Sequence, residues 1–199
     1  MKKLLTILIF ILTFQISSLA DDMRDFQIEG MSIGDSALDY FSEAQLEDNE
    51  QNWWNYSYKE YSTSLLPGKG IYHWFQISYK SDDDNFIIEA LTGGLEKINY
   101  DNKECNKKLD AAALDISELF ENIKQGRKQL YKIVYDPREI YHAADELGKS
   151  IVTSISFNFL NEGEIILACY NMDKETNQKD SFKTSVRSLA FVYYLRETE

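Results

Sequence analysis

Two serines in this sequence lie in patterns typical of hydrolase nucleophiles. Ser32 is the centre of the glycine-bounded stretch 30–34, a literal match to G-x-S-x-G, which in α/β-hydrolases holds a serine on a sharp turn between strand and helix. Such a serine needs a later acid and a histidine, and Asp136 and His142 follow in that order. The segment before Ser32 is too polar for a central parallel strand, so a turn into a capped helix is the favoured interpretation.

Ser36 lies in a second, overlapping pattern. The run Gly34-Asp35-Ser36-Ala37-Leu38 resembles the first block of the lipase and esterase family named for its G-D-S-L motif. That resemblance implies a nucleophilic Ser36 and a later D-x-x-H pair, which this sequence lacks. A serine without a general base is a weak nucleophile. A small serine esterase or hydrolase using Ser32 or Ser36 is therefore the alternative function, and a helix N-cap is the structural interpretation.

Aromatic residues form the most prominent cluster in the sequence. The stretch 71–80 alternates apolar and polar residues, which predicts a strand with Tyr72 and Trp74 on its polar face and His73 on its core face. Exposed aromatic side chains on a sheet bind sugars, apolar ligands or proteins. We predict that Trp54, Tyr72 and Trp74 bind an unidentified small molecule or protein; the alternative is that a second layer covers them. The cluster comprises Trp53, Trp54, Tyr56, Tyr58, Tyr61, Tyr72 and Trp74.

The two cysteines are predicted to form a disulfide. Cys105 lies on the apolar stripe of a helix predicted over 103–125, and Cys169 shares a strand face with large apolar residues. Both therefore point into the interior; two buried thiols are the alternative. Two distant cysteines and two distant histidines give no metal-ligand spacing, and the acidic stretch 82–84 lacks that of a calcium loop. No cofactor or metal is predicted.

Charge and the N-terminal pattern limit where the protein acts. The 199-residue chain has a formal charge of −12, from 33 acidic and 21 basic residues, which argues against nucleic acid as a partner. Lys2 and Lys3 precede an apolar run and a small-residue site ending at Ala20, which predicts a signal peptide over 1–20. We expect a mature chain without a membrane span, in the periplasm or secreted, and a disulfide fits that oxidising compartment.

The remaining patterns predict an α+β fold in a single domain over 21–199. Strands are predicted over 86–91 and 95–100 with a tight turn at Gly93-Gly94 between them, and over 151–159 and 165–169 as a hairpin that pairs Ile155 with Cys169. A last strand over 182–187 and a short closing helix follow. We expect an antiparallel sheet of about six to eight strands, one long amphipathic helix packed on a face, and one or two short helices.

Several short segments resemble an uncharacterised group of small exported, signal-peptide-bearing proteins of marine bacteria with AT-rich genomes. The resemblance implies a single exported domain and carries over no catalytic residue. With no complete catalytic set, we predict a non-enzymatic module that binds a ligand or partner. The segments are Ile28 to Ser36 with Tyr40, His142 to Asp145, Gly148 to Ser150, Ile155 to Phe159 and Ala168 to Tyr170.

Overall fold

The structure is a computed structural model that describes residues 22–51, 60–96, 102–120, 124–125, 129–132, 150–175 and 179–198. The predicted signal peptide lies outside these residues. So do Trp54, with its neighbours in the aromatic cluster, and the histidine at 142.

One antiparallel sheet organises the described chain. Six strands lie in the spatial order β1-β2-β3-β8-β7-β6, and the short strands β4 and β5 pair with β6. The predicted α+β class and antiparallel sheet are confirmed. The strands are β1 Tyr61–Pro67, β2 Trp74–Lys80, β3 Ala90–Glu96, β4 Lys124–Gln125, β5 Gln129–Lys132, β6 Ile151–Phe159, β7 Gly163–Asn171 and β8 Ser181–Ser188. The helices are α1 Glu43–Asp48, α2 Asn102–Leu119 and α3 Leu189–Thr198, with 3-10 turns at Met23–Asp25 and Ala37–Asp39.

The two faces of the sheet differ in composition because alternate residues of each strand point to opposite sides. The core face carries large buried apolar side chains from all six long strands. The other face, here called the outer face, carries many small or polar side chains. Core-face residues include Leu66, Phe75, Ile77, Leu91, Phe157, Ile165, Leu167 and Val186.

The disulfide between Cys105 and Cys169 is confirmed, and it joins α2 to β7 with the two Cα atoms 5.9 Å apart. Leu109 and Ile116 of α2 belong to the same buried cluster as the core face. The helix ends at Leu119, before the predicted end at 125. The next residue, Phe120, packs its ring edge-on against Phe159, with centroids 4.9 Å apart.

The hairpin β6–β7 forms with a register two residues from the prediction. Ile155 pairs with Leu167, and Cys169 pairs with Thr153. The difference arises at the turn, where Phe159 already pairs with Gly163, whose φ of 140° favours glycine. A two-residue shift keeps every side chain on its predicted face, which is why Cys169 still points toward α2.

The predicted tight turn at Gly93-Gly94 is wrong, because β3 runs straight through both residues. Gly93 pairs with Phe75 and Thr184, and Gly94 pairs with Trp74 and Lys183. Glycine inside a strand marks a close approach by another group. Here the approaching groups are two aromatic rings.

Helix α3 covers one end of the outer face. The ring of Phe191 packs edge-on against Tyr61 with centroids 5.0 Å apart, and Tyr194 lies 4.7 Å from the same ring. Ala90 completes this small cluster. The strand ends that carry Trp74 and Glu96 lie at the opposite end of the outer face from Ala90 and Tyr61.

Candidate functional site

Trp74 begins β2 and lies flat on the outer face. A Cβ built on Gly94 would lie 2.1 Å from two atoms of the indole ring, so only a glycine leaves room for this contact. The ring therefore rests directly on the backbone of β3. Trp74 remains partly exposed.

Tyr72 lies on the core face, so the prediction that it shares a face with Trp74 is wrong. A Cβ built on Gly93 would lie 2.6 Å from the Tyr72 ring, and neighbouring residues of a strand point to opposite faces. The ring contacts Phe75 with centroids 5.9 Å apart. Burial raises the pKa of Tyr72, and its hydrogen bond with Thr184 opposes that shift.

The alternation fails because β2 begins only at Trp74, so the residues before it are not part of the strand. The backbone N–H of Tyr72 donates to the Glu29 carboxylate rather than to the sheet. His73, predicted on the core face, is exposed, and its Nδ1 accepts from the N–H of Glu96 at 2.9 Å.

Lys183 and Tyr170 complete a cluster with Trp74 on the outer face. The Lys183 Nζ lies 3.8 Å from the centroid of the Tyr170 ring and 5.4 Å from that of Trp74. Lys183 is the β8 partner of Gly94, and it pairs in turn with Ala168 of β7. We call Trp74, Tyr170 and Lys183 the aromatic–lysine cluster.

The electrostatics of the cluster are set mainly by burial. Burial lowers the pKa of Lys183 to about 8, and the charge of Glu96 opposes the shift. Burial also raises the pKa of Tyr170, while the charge of Arg187 opposes it. The ammonium faces two aromatic rings, whose negative faces attract a cation.

Two polar side chains, one in the cluster and one beside it, have hydrogen-bonding groups without a partner among the described residues. Within the part of the chain that the structure describes, neither the Gln76 amide nor the Tyr170 hydroxyl forms a hydrogen bond. By contrast, Thr92 and Ser185 on the same face bond each other at 2.9 Å. The cluster therefore combines flat apolar rings, a cation and available polar groups in one area.

The sequence indicated only Trp74 of this cluster. Tyr170 and Lys183 come from β7 and β8, far along the chain, and only the pairing of β3 with β8 brings them beside Trp74. The one available signal was the pair of glycines in a segment otherwise typical of a strand, which marks a close approach.

Ser32 and Ser36 have structural hydrogen bonds. The buried Ser32 hydroxyl donates to the carbonyl of Phe26 at 3.1 Å. Ser36 is the N-cap of the second 3-10 turn, and its hydroxyl donates to the carbonyl of Asn85 at 2.6 Å. A backbone carbonyl is not a general base, so neither contact activates a serine.

The glycines that create the hydrolase-like pattern have a backbone role. Gly30 and Gly34 adopt φ values of 86° and 90°, which glycine tolerates without strain. The Asp35 carboxylate accepts from the N–H of Ser32 at 2.8 Å and from the Tyr40 hydroxyl at 2.8 Å. The pattern therefore corresponds to a compact turn held by Asp35.

The acidic stretch 82–84 also has a local role. The Asp83 carboxylate accepts from the N–H groups of Asn85 and Ile87, and these bonds lower the pKa of Asp83. Among the described residues, no group of three histidine, cysteine or acidic residues has the arrangement to hold a metal.

The fold and the site thus define an α+β protein with an antiparallel sheet and a partly exposed aromatic–lysine cluster on its outer face. Comparison with protein-family models, with curated proteins and with solved structures finds no match to this chain. In the described part, none of the helices has the length and apolar character needed to cross a membrane.

Proposed function

We propose that this protein is an exported, non-enzymatic binding module that holds a saccharide ring against the outer face of its sheet. The observation that supports the proposal is the Trp74 indole, flat on Gly94 with Lys183 and Tyr170 beside it. The same rings would suit a ligand with one apolar face and many polar edges.

A sugar ring has that character. Its C–H groups form an apolar face that packs against the negative face of an aromatic ring, and its hydroxyls require hydrogen bonds when they leave water. The Gln76 amide and the Tyr170 hydroxyl are available for such bonds. A purely apolar ligand would leave both groups, and the Lys183 charge, without partners at a cost.

The proposal assigns different roles to the two faces. We propose that α2 covers the core face, where the disulfide holds it, while α3 occupies the Tyr61 end of the outer face. The ligand then binds at the Trp74 end. Tyr72 supports the sheet from the other side, and the binding role of Trp54 stays a prediction.

Export is part of the same proposal. It is supported by the N-terminal sequence pattern over 1–20 and by a disulfide of the kind that persists in oxidising compartments. The mature protein would meet polysaccharides in the periplasm or outside the cell.

Affinity electrophoresis tests the proposal directly. The wild-type protein is run in native gels containing neutral galactan or acidic polygalacturonate, beside Trp74→Ala and the control Tyr193→Ala, which removes an exposed tyrosine of α3. We expect retardation of the wild type and of the control, and a loss of about tenfold or more in affinity for Trp74→Ala. A wild type that migrates unretarded in both gels, or a Trp74→Ala variant that is retarded equally, overturns the proposal.

The alternative of a serine hydrolase is tested separately. A serine-directed fluorophosphonate probe should leave the purified protein unlabelled, because the Ser32 and Ser36 hydroxyls donate to backbone carbonyls. Labelling that disappears in Ser32→Ala or Ser36→Ala would establish an enzyme instead.

A further inference from the structure

Within the described residues, Lys183 is a partly buried cation of the outer face that no carboxylate contacts, whereas two cations nearby each have a carboxylate partner. Lys179 pairs with Glu96 at 2.7 Å, and Arg187 pairs with Glu164 at 3.1 Å. Within the described residues, Lys183 forms neither a hydrogen bond nor an ion pair. Its Nζ lies over the rings of Tyr170 and Trp74, and Glu96 acts on it through its charge alone. Lys183 is therefore a partly buried positive charge of the outer face that no carboxylate among the described residues contacts.

This arrangement is unusual for an acidic chain. With 33 acidic residues against 21 basic ones, carboxylates are abundant, and partly buried charges in proteins are normally paired. Aromatic rings stabilise the ammonium through their faces but accept no strong hydrogen bond from it. Among the described residues, no acceptor uses the donors of Lys183, so they are available to a ligand.

We infer that the ligand of the outer face is an acidic saccharide, such as a uronic acid, whose ring stacks on Trp74 and whose carboxylate accepts from the ammonium of Lys183. The inference rests on the proposed binding function. The Lys183 Nζ lies over the Trp74 ring, 5.4 Å from the ring centroid, so an exocyclic carboxylate of a sugar in contact with that ring lies within reach. A charge-assisted hydrogen bond there is stronger than the neutral one that a sugar hydroxyl makes.

Isothermal titration calorimetry with two matched probes tests the inference. The probes are an oligomer of galacturonic acid and the galactose oligomer of the same length, linkage and anomeric configuration, so that they differ only in having a carboxylate or a hydroxymethyl group on each ring. For the wild type we expect at least about tenfold tighter binding of the acidic oligomer.

Two lysine variants identify the group responsible. Lys183→Met keeps the apolar stem and removes the charge, so it should lose that preference while still binding the neutral oligomer. Lys179→Met removes a neighbouring cation that is already paired with Glu96, and its affinity should change less than about twofold. Thermal unfolding of both variants checks that each is folded.

The outcomes separate this inference from the function on which it rests. If the wild type binds both oligomers equally, or if Lys183→Met keeps the acidic preference, the inference is overturned and the binding module stands. If the preference disappears equally in Lys179→Met, the outer face attracts anions without a specific contact, and the inference is overturned as well. If neither oligomer binds and both gels leave the wild type unretarded, the proposed function itself fails.

Discussion

Gly93 and Gly94 are neighbours in β3, yet their surroundings are opposite in character. Gly93 lies under Tyr72, whose hydroxyl bonds Thr184 and whose partly buried ring packs against the core cluster. Gly94 lies under Trp74, beside Lys183, which has no ion pair among the described residues. An aromatic ring in contact with a glycine thus occurs on both faces. On the core face the contact contributes to packing, and on the outer face it leaves a partly exposed ring available to a ligand. The comparison teaches that clustered aromatics in a sequence need not share a function.

The largest expected effect concerns the core face alone. Replacing both cysteines, as Cys105→Ala with Cys169→Ala, should lower the free energy of unfolding by about 4 kcal/mol, because the bond closes a loop with a sequence separation of 64. Denaturant unfolding measures it, and saccharide binding by the folded protein should remain. A decrease in the free energy of unfolding below about 1 kcal/mol would show that the disulfide contributes little to the stability of the fold.

Truncating the two rings should have unequal effects on stability. Tyr72→Ala should cost about 3 kcal/mol, as expected for removing a large aromatic residue that packs in a core. Trp74→Ala should cost about 1 kcal/mol or less, because its ring lies on the outer face and, unlike that of Tyr72, does not pack against the core cluster. Urea unfolding compares them; equal losses would mean that Trp74 is also a core residue.

A smaller substitution measures the contribution of the hydrogen bond between Tyr72 and Thr184 on the core face. Tyr72→Phe keeps the ring on Gly93 and removes the bond with Thr184, which should cost about 1 kcal/mol. The matched variant Tyr170→Phe removes a hydroxyl that has no bond within the described residues, so its unfolding free energy should stay the same while affinity for a saccharide falls. A stability loss in Tyr170→Phe would place that hydroxyl in a structural network.

The smallest effect is the pH dependence that Lys183 contributes. Its folded pKa of about 8 lies below the value of about 10.4 expected in the unfolded chain, so the unfolded state binds more protons between these values. Relative to Lys183→Met, the wild type should therefore gain stability as the pH rises from about 8 to about 10.4. Taking the difference between the two proteins removes shared contributions from Glu96, Lys179 and Tyr170.

Urea unfolding of both proteins at several pH values measures that difference. Below pH 8 the difference should be constant, with Lys183→Met the more stable because the wild type keeps a partly buried charge. A difference that does not change with pH would mean that the lysine is as well solvated in the folded state as in the unfolded one.

The sequence predicted the core face better than the outer face, and the reason is geometric. The observed β6–β7 register differs by two residues from the predicted one, and a shift of two leaves each side chain on its predicted face. The prediction that Cys169 points into the interior and forms the disulfide is therefore confirmed. At the start of β2, the departure from regular alternation moved Tyr72 to the other face. Periodicity therefore located the disulfide and placed Trp74 on the correct face, but it placed Tyr72 on the wrong one.

The rest of the candidate site depends on contacts between distant parts of the chain. Lys183 and Tyr170 reach Trp74 only because β8 inserts between β3 and β7. No local pattern specifies that order. Two consecutive glycines favour the interpretation as a turn, because glycine is common in turns. A strand whose backbone is in contact with an aromatic ring on each face also requires glycine at both positions.

The most direct test of the two-face account is the pair Gly93→Ala and Gly94→Ala, each measured for unfolding free energy and for retardation in polygalacturonate gels. An added Cβ at Gly93 meets the Tyr72 ring, which the core holds in place, so we predict a loss of about 1–3 kcal/mol with retardation kept. An added Cβ at Gly94 displaces the Trp74 ring on the outer face. In Gly94→Ala, retardation in the gel should therefore fall, and the free energy of unfolding should decrease less than in Gly93→Ala. Equal losses of stability in the two variants, or retardation that falls in Gly93→Ala and persists in Gly94→Ala, would contradict the account.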